Sequence, residues 1–180
     1  SDAYMRTIIQ YGTSVCYPLS AQSCHVSASP NHQCGRITPF NSRGDIAHLG
    51  ATGYELDTTK LSVEELKNVA VQVAQYKKIE DLVLNGDLYR LNNPLTENLF
   101  AEMLVSKDKA RAALTVMRPI SVPNDKAVRV YPKGLDENKR YLVSESNLTL
   151  SGRNLMNVGL IVNFENCDFA TKVFNFSETA

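Results

Sequence analysis

The sequence has no tryptophan in 180 residues. Carbohydrate-binding modules stack flat aromatic faces on sugar rings. Here only tyrosine and phenylalanine are left for that task, and many of them stand at strand positions that suit a core. Net charge is missing too. Nineteen basic and 19 acidic side chains cancel, and no Lys/Arg cluster occupies a helical face, so the electrostatic footprint of a nucleic-acid partner is lacking. There is no long hydrophobic run. The longest, Leu155 to Val162, is broken by Asn157 and Gly159, too short and interrupted to span a bilayer. Nothing at the start has the pattern of a signal peptide, and the expectation is a cytoplasmic protein without a membrane partner. Cys16, Cys24, Cys34 and Cys167 lack the regular spacing of a secreted disulfide scaffold, so reduced thiols are expected. Asn-x-Ser/Thr triplets at Asn147 and Asn175 arise easily by chance and do not alter the compartment.

An apolar fraction of 43% is ordinary for a globular protein and predicts a buried core. Ser1 and Asp2 suit a helix N-terminus, and Met5, Ile8 and Ile9 follow at helical spacing, predicting a short helix over residues 1–11 that Gly12 ends. Ser23 to Ser27 reads as a buried strand. Thr38-Pro39 has the form of an N-cap followed by a first-turn proline, opening a helix that carries Phe40, Ile46 and Ala47. Gly50 and Gly53 precede a second short strand, Tyr54 to Leu56. The strongest element is residues 62–85: Ser62 and Glu65 form a capping box, and Leu66, Val69, Ala70, Val73, Tyr76 and Val83 trace one apolar face. Gly86 closes that helix.

Beyond Gly86 the period changes. Phe100–Val105, Ala112–Met117, Ala127–Tyr131, Arg140–Val143 and Lys172–Phe176 are short, rich in β-branched and aromatic residues, and separated by Pro, Gly, Asn and Asp clusters, which predicts an antiparallel β-sandwich. The helix–strand alternation of residues 1–85 predicts a parallel α/β unit, yet two strands cannot close a sheet with both faces covered. The fold class expected is α+β, with residues 1–85 and 86–180 as its two parts.

Residues 23–35, SCHVSASPNHQCG, hold four good metal ligands: Cys24, His25, His32 and Cys34. Zinc hooks space their ligands so that a turn aims both at one point, whereas Cys24 and His25 are adjacent and, on a strand, face opposite ways. No metal is expected. A Cys–His dyad, with Cys34 or Cys16 as nucleophile and His25, His32 or His48 as base, lacks a recognisable orienting group and ranks lower still. Glu55 and Asp57 share a face if the strand continues, and as a pair they more often cap the loop that follows. Asp87, Tyr89 and Arg90 open the second part and are read as anchoring it against the first.

Six blocks, IQYGTS at 9–14, YPLSA at 17–21, HVSASPNHQCGRITP at 25–39, GYELDTTKLS at 53–62, NGDLYRL at 85–91 and SGRNLMNVGL at 151–160, resemble the closing segments of family 36 α-galactosidases (melibiases) in order and near-constant spacing. The resemblance covers the whole chain. It implies that residues 1–85 are the end of a catalytic (β/α)8 barrel and that residues 86–180 are the C-terminal β-sandwich of a longer enzyme. It also implies hydrolysis of terminal α-galactosyl residues from oligosaccharides such as melibiose and raffinose, with retention and without a cofactor. The family's nucleophile belongs to a Lys-Trp-Asp stretch, which a chain without tryptophan does not contain. Its acid/base belongs to a motif whose last three positions match Ser1-Asp2-Ala3, so that it falls two places before Ser1; a gapped alignment instead makes Asp2 the acid/base. The chain alone is therefore expected to be inactive. Loops after barrel strands form the catalytic face, which makes Asn31, His32 and Arg36 candidate substrate-rim residues, with a self-bonded loop as the alternative. Cys24 and Cys34 depart from the family pattern. Exposed strand edges and an uncovered helix face predict a homo-oligomer. Two other classes stay open at this level: a stand-alone carbohydrate-binding module, and a zinc-dependent interaction protein.

Overall fold

A computed structural model describes residues 1–124 and 127–179. They form two compact units, Ser1–Leu84 and Asn85–Ala180.

In the first unit α1 spans Ala3–Thr13, and the Asp2 carboxylate caps it by accepting from the Met5 N–H at 2.9 Å. The helix runs through Gly12, because one interior glycine costs only about 1 kcal/mol and the i to i+4 bonding continues, Ser14 N–H reaching Gln10 C=O at 2.9 Å. Its buried side is also unlike the apolar pattern. Ala3, Arg6, Thr7 and Gln10 are enclosed, while Met5 and Ile9 are 38% and 49% exposed. Strand β1 (Ser23–Ser27) falls where expected, and α2 covers Phe40–Ala47. Pro39 itself takes the capping position of α2; Thr38 lies outside and gives its N–H to Ser29 Oγ at 3.2 Å.

Strand β2 is Ala51–Glu55, three residues earlier than the tyrosine-led pattern predicted and including Gly53. The cause is tertiary: β2 pairs in parallel with β1, from Ser23 opposite Ala51 to Ser27 opposite Glu55, and that ladder overrides the weak strand propensity of Ala-Thr-Gly. Cys24 and Val26 turn to one face and share a cluster with Ala47, Phe40, Tyr54 and Leu56. His25 therefore faces the other way.

Helix α3 spans Val63–Asn85 behind the capping box, with Ser62 N–H to Glu65 Oε2 at 2.9 Å and Glu65 N–H to Ser62 Oγ at 3.1 Å. Its buried residues are Gln72, Tyr76, Ile79, Leu82 and Val83, whereas Leu66 and Val73, expected to be interior, are exposed. Gln72 holds an interior place because both ends of its amide are satisfied: it donates to Phe40 C=O at 3.0 Å and accepts from the Tyr54 hydroxyl at 2.8 Å. A search for apolar periodicity does not register such a residue.

The second unit holds a six-stranded antiparallel sheet in the order β3-β4-β5-β10-β7-β8, formed by Asp87–Arg90, Phe100–Val105, Arg111–Arg118, Ala170–Thr179, Arg140–Val143 and Leu148–Ser151, and a separate pair, β6 (Ala127–Val130) with β9 (Leu160–Asn163). One core takes Met103, Val105, Leu114 and Val116 from the sheet and Val130, Leu160 and Val162 from the pair. Each such burial contributes about 1.5–3 kcal/mol. The sequence pattern locates β4 and β7 to the residue but misses β3, β8 and β9, and it misses α4 (Gly152–Asn157), which Ser151 caps by accepting from Asn154 N–H at 3.1 Å. No helix among the described residues is long and apolar enough to cross a membrane.

Candidate functional site

Ligands of parallel α/β sheets bind beyond the carboxyl ends of the strands, where the loops begin. In this chain that end is marked by Ser27 and Glu55, the last residues of β1 and β2, which face each other in register. The loop leaving β1 is tightly self-bonded. Asn31 is 4% exposed; its N–H donates to Arg36 C=O at 2.9 Å, its C=O accepts from Gly35 N–H at 2.8 Å, and its Oδ1 accepts from the N–H groups of Gln33 and Cys34 at 3.0 and 3.2 Å. Gly35 has φ +69°, a conformation that favours glycine.

The same loop is clasped to the start of α1. Asp2, 2% exposed, accepts from the Cys34 thiol at 3.1 Å and pairs with the Arg36 guanidinium, which lies 4.9 Å from the centre of the Tyr4 ring. Burial alone pushes the Asp2 carboxyl up, but the Met5 N–H, the Cys34 thiol and the Arg36 charge together outweigh it and hold the group below its ordinary value. A general acid must keep its proton at working pH, which calls for the opposite shift. The arrangement suits a structural carboxylate. Of the three rim candidates, Asn31 and Arg36 shape the loop, and His32 is the one that is exposed.

A second cluster lies on the sheet face opposite α2. Arg6 Nη2 is 2.8 Å from His25 Nδ1, and His25 Nε2 is 2.5 Å from Glu55 Oε2. Burial first, and the Arg6 charge second, lower the imidazole pKa, while Glu55 pulls it the other way. Arg6 Nη2 also contacts Nε2, so both ring nitrogens face the guanidinium and Nε2 meets Glu55 as well.

Two family models divide the chain between them: Melibiase matches residues 1–86 and the glycosyl hydrolase family 36 C-terminal domain matches residues 99–176. The chain belongs to glycosyl hydrolase family 36. Alpha-galactosidase Mel36A of Lactobacillus acidophilus is 43% identical over 176 residues, which is 98% of this chain and 24% of that protein. Alpha-galactosidase AgaA of Geobacillus stearothermophilus is 40% identical over 174 residues, 97% of this chain and 24% of that protein. The crystal structure of AgaA superposes with a TM-score of 0.95 at 39% identity, over 99% of this chain and 25% of that one. The galactosidase domain of AgaSK, a bifunctional enzyme of Mediterraneibacter gnavus, gives 0.96 at 40% identity, with 99% and 25% covered. Variants of AgaA have been crystallised with raffinose and with stachyose. This family 36 chain spans about a quarter of the length of these relatives.

The other candidates of this family 36 chain fall apart in space. Cys24 is buried with its Sγ 3.9 Å from Leu49 C=O, His25 faces away from it, and the Cys34 thiol is engaged by Asp2 and Asn31 and not by an imidazole. None of the four cysteines is in a disulfide, and no group of three or more His, Cys, Asp or Glu among the described residues could hold a metal ion. His48 is 4% exposed beside the Tyr76 ring, where burial pushes its pKa down to about 4. Glu55 and Asp57 part company: Asp57 caps the 3-10 turn Thr58–Lys60, accepting from Thr59 N–H at 3.0 Å, and Glu55 goes to His25. Asp87 pairs with Lys107 and Tyr89 packs on the core of the second unit, contacts made within that unit. Sequence reasoning did not find Arg6. Its signal was a basic residue four positions after a capping Asp2, on the enclosed side of α1 with Ala3 and Gln10.

Proposed function

We propose that the chain is the C-terminal quarter of a retaining α-galactosidase that removes terminal α-galactosyl residues from oligosaccharides such as melibiose and raffinose. The observation that carries this is the likeness to AgaA, a raffinose-binding α-galactosidase in variant form, over 99% of the chain at 39% identity. In this reading the first unit supplies the last two strands of a (β/α)8 barrel and the second is the C-terminal β-sandwich. Retention requires two carboxylates about 5–5.5 Å apart, one to attack the anomeric carbon and one to protonate the departing oxygen. Asp2 is engaged in its clasp and held ionised, so both catalytic carboxylates are assigned to the polypeptide that precedes Ser1 in the parent enzyme. The loop after β1 then forms part of the rim, with His32 turned to solvent and Asn31 and Arg36 fixing its shape. The parent is read as a cytoplasmic homo-oligomer that needs no cofactor.

Hydrolysis of an aryl α-galactoside tests the proposal. Residues 1–180 alone should release no aryl alcohol, and the parent polypeptide should release it with a retained first product. Turnover by the isolated chain, or a parent without action on any α-galactoside, defeats the assignment.

A further inference from the structure

We propose that Glu55 is a sugar-binding carboxylate: from the carboxyl end of β2 it accepts hydrogen bonds from substrate hydroxyls, while His25 and Arg6 act as positioning residues behind it. This inference rests on the reading of the chain as part of an α-galactosidase.

Placement comes first. Glu55 is the last residue of β2, opposite Ser27, where parallel α/β folds bind ligands. Since Tyr54 turns toward α2 with Val26, its neighbour Glu55 lies on the same sheet face as His25.

The cluster is also graded in exposure. Arg6 is 6% exposed, the His25 side chain 25% and the Glu55 side chain 72%. Arg6 meets both ring nitrogens of His25, and His25 Nε2 meets Oε2 of Glu55. One oxygen is thus fixed from behind, which sets the direction of the second. A buried cation, a neutral ring and an outer anion leave the cluster without net charge but with an anionic tip. That tip repels phosphates and carboxylates and accepts from hydroxyl donors, and a sugar offers such donors in pairs.

In the parent enzyme, Glu55→Gln should raise KM for an aryl α-galactoside and Ki for galactose together, by roughly ten- to hundred-fold, the range of a lost hydrogen bond to a charged group. His25→Phe should raise both constants less, with kcat changed little. Melting temperature of Glu55→Gln should change little while both constants rise. Unchanged KM and Ki in a folded Glu55→Gln enzyme sink the inference while leaving the family reading intact. The same holds for a fall in melting temperature with no change in either constant. Should Glu55→Gln not fold, Glu55→Asp retains the charge at a shorter reach and is read by the same two constants, with equal values to wild type counting against the role. A wild-type parent inactive on all α-galactosides removes both the reading and the inference.

Discussion

Replacing Glu102 by glutamine should stabilise the protein in alkaline solution and not in acid. Glu102 sits in β4, opposite Arg90 of β3 and Thr115 of β5, with 0% exposure and no hydrogen-bond partner for either carboxyl oxygen among the described residues. Burial pushes its pKa up from 4.5 to about 7, with the Arg90 charge pulling in the other direction. Between those values the unfolded chain releases the proton and the folded chain keeps it. The unfolded state then binds fewer protons, so stability is fully present below pH 4.5 and is lost as pH rises through 7. A gap from 4.5 to about 7, at 1.36 kcal/mol per unit, makes the loss about 3 kcal/mol. Glutamine cannot ionise. The stability difference between Glu102→Gln and wild type should therefore be about 3 kcal/mol more favourable to the variant at pH 8 than at pH 5. With no tryptophan to follow, urea unfolding is read by circular dichroism at 222 nm, and the midpoint should move by about 1–3 M between the two conditions. Equal differences at pH 5 and pH 8 would refute the claim that Glu102 is neutral in the folded chain.

His48 should act with the opposite sign. Its folded pKa of about 4 lies below the 6.5 of a free imidazole, so stability falls as pH drops from 6.5 towards 4, by about 3 kcal/mol; in His48→Gln, urea midpoints across that window should lose this slope. Gly152→Ala places a Cβ 2.0 Å from the Asp136 carbonyl oxygen and 3.2 Å from the Tyr141 ring, and since the backbone must yield, thermal melting should register a loss of about 1–3 kcal/mol or more. Asp2→Asn keeps a competent helix cap but removes the charge that holds Arg36. In the parent it should lower the melting temperature while most of kcat survives, whereas loss of an acid/base would cost roughly 10²–10⁴-fold in rate.

Legibility in the sequence followed the kind of force at each place. β4 and β7 were readable to the residue because apolar, β-branched runs between turn clusters are what half-buried strands require. The capping box of α3 was readable because its two bonds join residues three apart. Both signals are local. β8 and β9 were not legible because Thr149, Ser151 and Asn163 dilute their apolar pattern, and it is pairing with β7 and β6 that makes them strands. The buried faces of α1 and α3 were misjudged for a common reason: Arg6, Gln10 and Gln72 are enclosed with partners supplied by distant residues, and a hydrogen bond to Ile46 or Phe40 leaves no trace in the spacing. At the site, the sequence pointed to the loop bearing Asn31 and Arg36. It could not show that Asp2, 34 residues before Arg36, was what the loop would hold.

The two units differ in what they bury. Asp2, Arg6, Gln10, Asn31, Arg43, His48 and Gln72 are enclosed in the first, while among the described residues of the second the enclosed polar ones are Glu102, Thr115 and Arg118. Replacing paired interior charges by apolar side chains of similar volume is often neutral or stabilising, so stability does not by itself explain such an interior. Geometry does. Arg43 donates to the carbonyl of Ser27 at 2.8 Å, reaches Glu65 at 3.3 Å and lies 4.8 Å from the centre of the Phe40 ring, which ties the end of β1 to the first turns of α2 and α3. Arg36 and Asp2 tie the loop that follows to α1, and Arg6 with His25 sets Glu55 at the end of β2. All three tethers converge on the carboxyl ends of the strands. Directional bonds hold that edge to one arrangement in a way that interchangeable apolar contacts do not, which is the fixity that the proposed recognition of sugar hydroxyls calls for. In the second unit Arg118, the last residue of β5, makes a tether of the same kind, donating to Glu165 C=O at 2.7 Å and to Ser121 Oγ at 3.1 Å, 5.2 Å from the centre of the Phe164 ring.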